Sequence, residues 1–389
     1  MKEIIFYGGF AFALPIGILA AVSSRVVREA VFVALIISTS APYLVDINLM
    51  GRPWYRGTTR GIEISYLDAF AIILLVSTIL TRRQDSWRYP AAAGVLPNGQ
   101  PLDARGVFWP VAFLPMVLYF AWASVTVLVS YPHIFGVFEL SKIVRGLIVF
   151  TAVAWFVRGP REIRLLVYGL FGAAFYVTAR ALQQRYIMGS HRVCLPFAHP
   201  NLLSMYCCAI APVALAVSLS DLSNRIRSLS ILVTVMMVGC VLLSISRTGY
   251  ATIILTIGLT LASILGLRLN ARNLVVVIGI LMVGSGMLYK SWDSVMGRLG
   301  TTNLEQEYME GGRGRGMYIR LARLISDEHP LGIGLNNWSW YVSGTFGEDE
   351  AGNVQIPYHS TDEPPDNPNP QLPAPPAPAH NLAALPLGE

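Results

Sequence analysis

The chain has 389 residues, of which 54% are hydrophobic and only 13% charged, with a net charge of +6 and a mean hydropathy of +0.52. Soluble proteins carry about 25% charged residues, so this composition excludes a large soluble enzyme and points to a multispanning membrane protein. The basic balance does not point to nucleic acid, because the charge is partitioned: from Lys290 onward 6 Lys and Arg stand against 13 Asp and Glu, and the rest of the chain is strongly basic.

In chain order, about ten apolar runs are long enough to cross a bilayer, near residues 4–22, 30–48, 64–80, 108–129, 138–157, 164–182, 200–218, 229–246, 249–267 and 273–289. Only Lys2 precedes the first run, which is too long for a signal-peptide core and reads as a retained span. The four cysteines, Cys194, Cys207, Cys208 and Cys240, mostly fall inside spans without CxxC spacing, which argues against a disulfide framework or a zinc site. The segments joining spans 1–2, 3–4, 5–6, 7–8 and 9–10 hold Arg25, Arg28, Arg82, Arg83, Arg88, Arg105, Arg158, Arg161, Arg164, Arg225, Arg227, Arg268 and Arg272. By the positive-inside rule these segments are cytoplasmic, so the N-terminus and everything after residue 290 lie outside. One loop runs against the rule: Arg52, Arg56 and Arg60 in "GRPWYRGTTRG" fall on the outer side.

The fold class expected is therefore all-α and multispanning: a transmembrane bundle over 1–289 and a large outer region over 290–389. Within that region residues 290–345 are structured, with Tyr318, Leu321, Leu324 and Ile325 at helical spacing until Pro330 ends the pattern. Residues 346–389 form a strap, since 357–386 alone hold 10 of the 24 prolines and favour extended or irregular backbone.

Ionisable groups at the ends of spans mark candidate sites. Glu139, Lys142 and Arg145 share one helical face at the outer end of span 5. Arg180, Arg185, His191 and Arg192 follow span 6, His199 and Asn201 open span 7 in "FAHPNLLS", and Arg247 sits in the tight turn "SISRTGY" between spans 8 and 9. Arg313 and Arg315 head the outer helix. Each has a purely structural alternative: an i,i+3 ion pair for Glu139 and Lys142, snorkelling for Arg180 and Arg185, and a helix cap for His199. Arg247 fits such an alternative least, because a turn needs Ser, Thr and Gly for geometry but no guanidinium. Together the cluster fits a strongly anionic ligand at the outer face, such as a lipid-linked pyrophosphate held by bidentate arginines. His380, just before Asn381 at the end of the strap, is a candidate general base if the strap folds back over the arginines.

With "RGIEISYLDAFAIILL", "FAHPNLLS", "SISRTGY", "GRGRGMYIRLARLISDEHPLGIGLNNWSWYV" and "AHNLAALPLGE" in this order, the chain resembles the O-antigen ligase and polymerase superfamily of bacterial envelope glycosyltransferases. The resemblance implies a bacterial inner-membrane protein with a large periplasmic loop and no metal or cofactor requirement. It would transfer a glycan from undecaprenyl pyrophosphate to a hydroxyl of a lipid or glycan acceptor, with membrane lipids and no nucleic acid among its partners. By motif, Arg247 and either Arg313 or Arg315 would bind the pyrophosphate, His380 would activate the acceptor hydroxyl, and Asn381 would orient the loop end. Members of the superfamily continue past the His-Asn motif into further spans, whereas this chain stops at Glu389, so a truncated chain is expected. Two other readings fit the same residues. A flippase or transporter of lipid-linked glycans would also be multispanning, although charges near mid-membrane and internal repeats would be expected of it. An inactive scaffold of an envelope polysaccharide system is the other.

Overall fold

The structure is a computed structural model and describes residues 2–41, 46–52, 55, 57–88, 112–157, 159–220, 222–265, 278, 315–329, 332–345, 347–348 and 354–355. It is mostly helical. The helices are α1 (Lys2–Ser23), α2 (Arg25–Ser38), α3 (Tyr66–Arg88), α4 (Phe113–Val129), α5 (His133–Phe156), α6 (Pro160–Leu182), α7 (Pro200–Ser218), α8 (Asn224–Ser244), α9 (Arg247–Leu265), α10 (Arg315–Glu328) and α11 (Trp338–Thr345). One π-helical turn, Gln183–Ile187, prolongs α6. The strands are short: β1 (Asp46–Leu49) pairs with β2 (Ile62–Ser65), and β3 (Gly347–Glu348) pairs antiparallel with β4 (Val354–Gln355).

Among the described residues, three helical segments are long and apolar enough to cross a membrane: Arg161–Ile187, Pro200–Ser218 and Asn224–Ser244. Shorter apolar helical stretches cover Gly8–Ser23, Tyr66–Thr81, Phe113–Leu128 and Thr248–Ile264. These are the helices of a membrane protein. Apart from residue 278, the run at 273–289 lies outside the described residues, as does the expected boundary at 289/290.

The second expected span, 30–48, is different in the structure. Helix α2 starts at Arg25 and stops at Ser38, and Asp46–Leu49 is a strand. Thr39 and Ser40 turn their hydroxyls onto the carbonyls of Ile36 and Ile37, and Ala41 precedes a proline, which disfavours further helix. At its other end α2 absorbs Arg25 and Arg28, which were expected in a connecting segment. They can be helical, with Arg28 buried and Arg25 half-buried, because they are partnered: Glu29 takes Arg25 and Arg161 at 2.8 Å each, Arg25 also reaches Glu162, and Arg28 donates to Thr81.

The chain divides into two compact units, one of Met1–Asp46, Ser65–Phe108 and Thr151–Thr301, the other of Ile47–Ile64, Trp109–Phe150 and Thr302–Glu389. In the first, α7 packs most extensively against α8, and α6 also packs on α8. The buried faces are built of small residues, Ser204, Cys207, Cys208, Ala211 and Ala214 on α7 and Ser230, Thr234, Gly239, Cys240 and Ser244 on α8, which let helices approach closely in lipid. Their hydroxyls bond within their own helices, as Ser230 to Ile226 O and Thr234 to Ser230 O do, so these hydroxyls are not stranded. In the second unit, Tyr55 stacks on Phe135 with ring centroids 3.8 Å apart, and Phe138, Ile62, Ile134 and Trp340 complete the cluster. Helix α10 ends two residues before Pro330, as its spacing predicts, and buries Ala322 and Ile325, while Leu324 is exposed.

Candidate functional site

The first unit gathers two of the quoted motifs at one place. His199 caps α7: its backbone is extended and Nδ1 accepts from the Asn201 amide at 3.2 Å. Ser246 caps α9 in the same way, its Oγ accepting from the Gly249 amide at 3.2 Å. The same hydroxyl donates to Asn201 Oδ1 at 2.9 Å, which ties "FAHPNLLS" to "SISRTGY". One turn further in, Ser204 and Ser244 share a hydrogen bond of 2.7 Å. Gly249 permits this approach: a Cβ there would lie 2.7 Å from both Cβ and Oγ of Ser204. The N-termini of α7 and α9 therefore sit side by side, and each carries the partial positive charge of its unpaired amides.

The turn between α8 and α9 is strained. Ile245, a β-branched residue, is held at φ 50 and is buried, a conformation that persists only where the surroundings enforce it. The segment after α6 lies against the same turn, with the Val193 amide donating to Leu243 O and Arg192 Nε to Ser244 O at 3.4 Å. Arg192 Nη2 reaches Asn201 Oδ1 at 3.5 Å. Gln184, in the π turn, fixes this segment by accepting from the amides of Cys194 and Leu195 at 2.8 Å each. Arg185 donates to His191 O at 2.6 Å, and Arg180 to Gln183 at 2.6 Å. Asn201 Nδ2 has no partner among the described residues, so these helix ends offer an amide donor beside Arg192 and two helix N-termini. That set suits phosphate oxygens.

Arg247 is the first residue of α9, so the backbone brings it to this place, while its side chain lies outside the described part, as does that of Arg315 at the head of α10. Arg313, His380 and Asn381 lie outside the described residues altogether.

Lys142 and Arg145 belong to the second unit and are engaged there. Lys142 Nζ pairs with Glu139 at 3.1 Å, and Arg145 bonds to Glu63 O and lies 3.8 Å from its carboxylate. Glu139 also accepts from Thr58 at 3.0 Å and from Thr59, so it anchors the 57–61 loop. Sequence reading did not single out Gln184, Ser204 or Ser244; their roles come from contacts across 10 to 40 residues that no local pattern carries. Ser246 was legible as a capping residue of the tight turn, but its bond to Asn201 was not. Comparison with protein-family models, curated proteins and solved structures finds no match for this chain.

Proposed function

We propose that the protein is a multi-pass membrane glycosyltransferase of the O-antigen ligase or polymerase type, with about ten spans and residues 290–389 forming a periplasmic loop. It takes a glycan from undecaprenyl pyrophosphate and joins it to an acceptor hydroxyl. The observation that carries this reading is the Asn201–Ser246 hydrogen bond, which joins the two span-end motifs into one anion-binding mouth.

In the proposed reaction the pyrophosphate lies across the N-termini of α7 and α9, with Arg192, Arg247 and Asn201 Nδ2 on its oxygens and Arg313 or Arg315 arriving from the loop. His380 takes the proton of the acceptor hydroxyl as its oxygen attacks the anomeric carbon. The bond from that carbon to the pyrophosphate oxygen breaks, and the electron pair leaves on undecaprenyl pyrophosphate, where the arginines stabilise it.

The test uses the full chain in proteoliposomes, measuring undecaprenyl pyrophosphate binding and glycan transfer separately. Arg247→Ala should weaken binding about tenfold or more, the loss expected for charge-assisted bonds to phosphate. Arg247→Lys should fall between, because it keeps the charge without the bidentate fork. His380→Ala should lower transfer by roughly 10²–10⁴-fold and leave binding in place. Unchanged binding in Arg247→Ala would remove the pyrophosphate from this site.

A further inference from the structure

The loop "GRPWYRGTTRG" is not used by the site at α7 and α9, and it carries arginines on the side where the positive-inside rule expects none. The structure holds this loop firmly. Its neck is closed by the Arg52 amide donating to Arg60 O at 2.7 Å, and the Tyr55 amide donates to Arg52 O at 3.0 Å. At Gly61 a Cβ would strike Asn48 and come within 2.9 Å of Gly51 Cα, so the two sides of the neck touch. Below it Tyr55 and Thr59 are buried, and Asn336 and Glu139 bond the 58–59 segment.

This rigid neck brings two like charges together. Arg52 and Arg60 are exposed, and among the described residues neither guanidinium has a hydrogen-bond or carboxylate partner. Two described carboxylates of the same unit are engaged elsewhere: Glu63 with Arg145, and Glu139 with Thr58, Thr59 and Lys142. Neighbouring like charges oppose folding unless an anion joins them. Beside them Met50 is 60% exposed and held at φ 57, presenting an apolar side chain to the surroundings. The loop is also held by the chain close to an apolar helix. Arg60 lies six residues before Tyr66, where the apolar helix α3 begins, at most about 20 Å of extended chain.

We propose that Arg52 and Arg60 form a phosphate-binding site for the headgroup of an anionic membrane lipid. The two guanidiniums take the phosphate oxygens, and Met50 lies against the apolar part of the same molecule. A freely soluble phosphate would satisfy the arginines but would have no use for Met50, so the lipid is the better occupant.

Native mass spectrometry of the detergent-solubilised full chain tests this, with phosphatidylglycerol and phosphatidylcholine of equal acyl length as probes. The unaltered chain should retain phosphatidylglycerol in preference to phosphatidylcholine. Arg52→Gln and Arg60→Gln should each lower phosphatidylglycerol affinity about fivefold and together about 25-fold, with phosphatidylcholine retention unchanged. Persistence of the lipid adduct in excess inorganic phosphate supports a lipid site, and its displacement by equimolar inorganic phosphate overturns the lipid assignment. Full phosphatidylglycerol affinity in the double variant overturns the site itself. Loss of the adduct in Arg247→Ala would move the lipid to α9 and overturn it as well.

Discussion

Asn336 is 1% exposed, and its side-chain amide is fully partnered. Oδ1 accepts from the Thr58 amide and hydroxyl at 2.9 Å each and from the Thr59 amide at 3.4 Å, while Nδ2 donates to the carbonyls of Thr59 and Phe135 at 2.9 Å each. Its φ of 61 is a left-handed value that asparagine tolerates better than most residues. One side chain thus supplies the backbone bonds of a loop that has no strand to pair with. Asn336→Asp keeps the shape but replaces two donated bonds with a buried negative charge facing two carbonyls. The cost should be about 3 kcal/mol or more, since each buried carbonyl left unpartnered costs about 1–3 kcal/mol. The melting temperature of the solubilised chain should fall accordingly, and limited trypsin should cut faster after Arg60 as the loop loosens. Unchanged trypsin rates would mean that the loop is held by Tyr55 and Glu139 without Asn336. None of this was legible in the sequence, because Asn336 and Thr58 are 278 positions apart. The Lys142–Glu139 pair was legible, because a helical period fixes which side chains meet three residues on.

At the scale of elements, hydropathy located the helices well and their ends poorly. A window average cannot see Thr39 and Ser40 closing α2, nor that Arg25 and Arg28 stay helical because Glu29 and Thr81 wait for them. Ser65 leads into α3 with Asp68 Oδ2, three residues on, accepting from its amide at 2.7 Å and from its hydroxyl at 3.1 Å, a capping arrangement that sequence reading passed over. The contact of α7 with α9 was not readable, although it builds the candidate site. It depends on Gly249 having no side chain against Ser204. Gly249→Ala places a methyl 2.7 Å from Ser204 Cβ, so one helix must shift and the Asn201–Ser246 and Ser204–Ser244 bonds must lengthen. Undecaprenyl pyrophosphate binding should drop about tenfold while the amount of protein in the membrane stays level, because α9 itself gains helix propensity from the change. Ser204→Ala in the same chain removes a hydroxyl without adding bulk and should weaken binding less. If Gly249→Ala binds the donor normally, the side-by-side helix ends are not what holds it.

At the scale of the molecule, α6 gives the first unit its direction. The segment Arg161–Ile187 has 27 residues, which at about 1.5 Å each is about 40 Å, close to a bilayer with its interfaces. At its start Arg161 enters the ion-pair network with Arg25, Glu29 and Glu162, drawn from the expected cytoplasmic junctions. At its end Gln184 pins the segment that carries Arg192 to the mouth formed by α7 and α9. The arginines at the two ends therefore differ in kind. Arg25 and Arg161 at the start pair with carboxylates, as suits charges that orient a helix, whereas Arg185 and Arg192 at the end donate to backbone carbonyls and, for Arg192, to an amide oxygen. This asymmetry predicts the topology. In oriented inner-membrane vesicles of a chain whose Cys194 is replaced by Ser, a cysteine placed at Gly159 or near Pro97 should react with an impermeant maleimide only from the cytoplasmic side. One placed at Ser190, Gly312 or Pro375 should react only from the periplasmic side. Reaction of positions 159 and 190 from the same face would show that α6 does not cross the membrane, and the proposed anion-binding site would then have no claim to a periplasmic substrate.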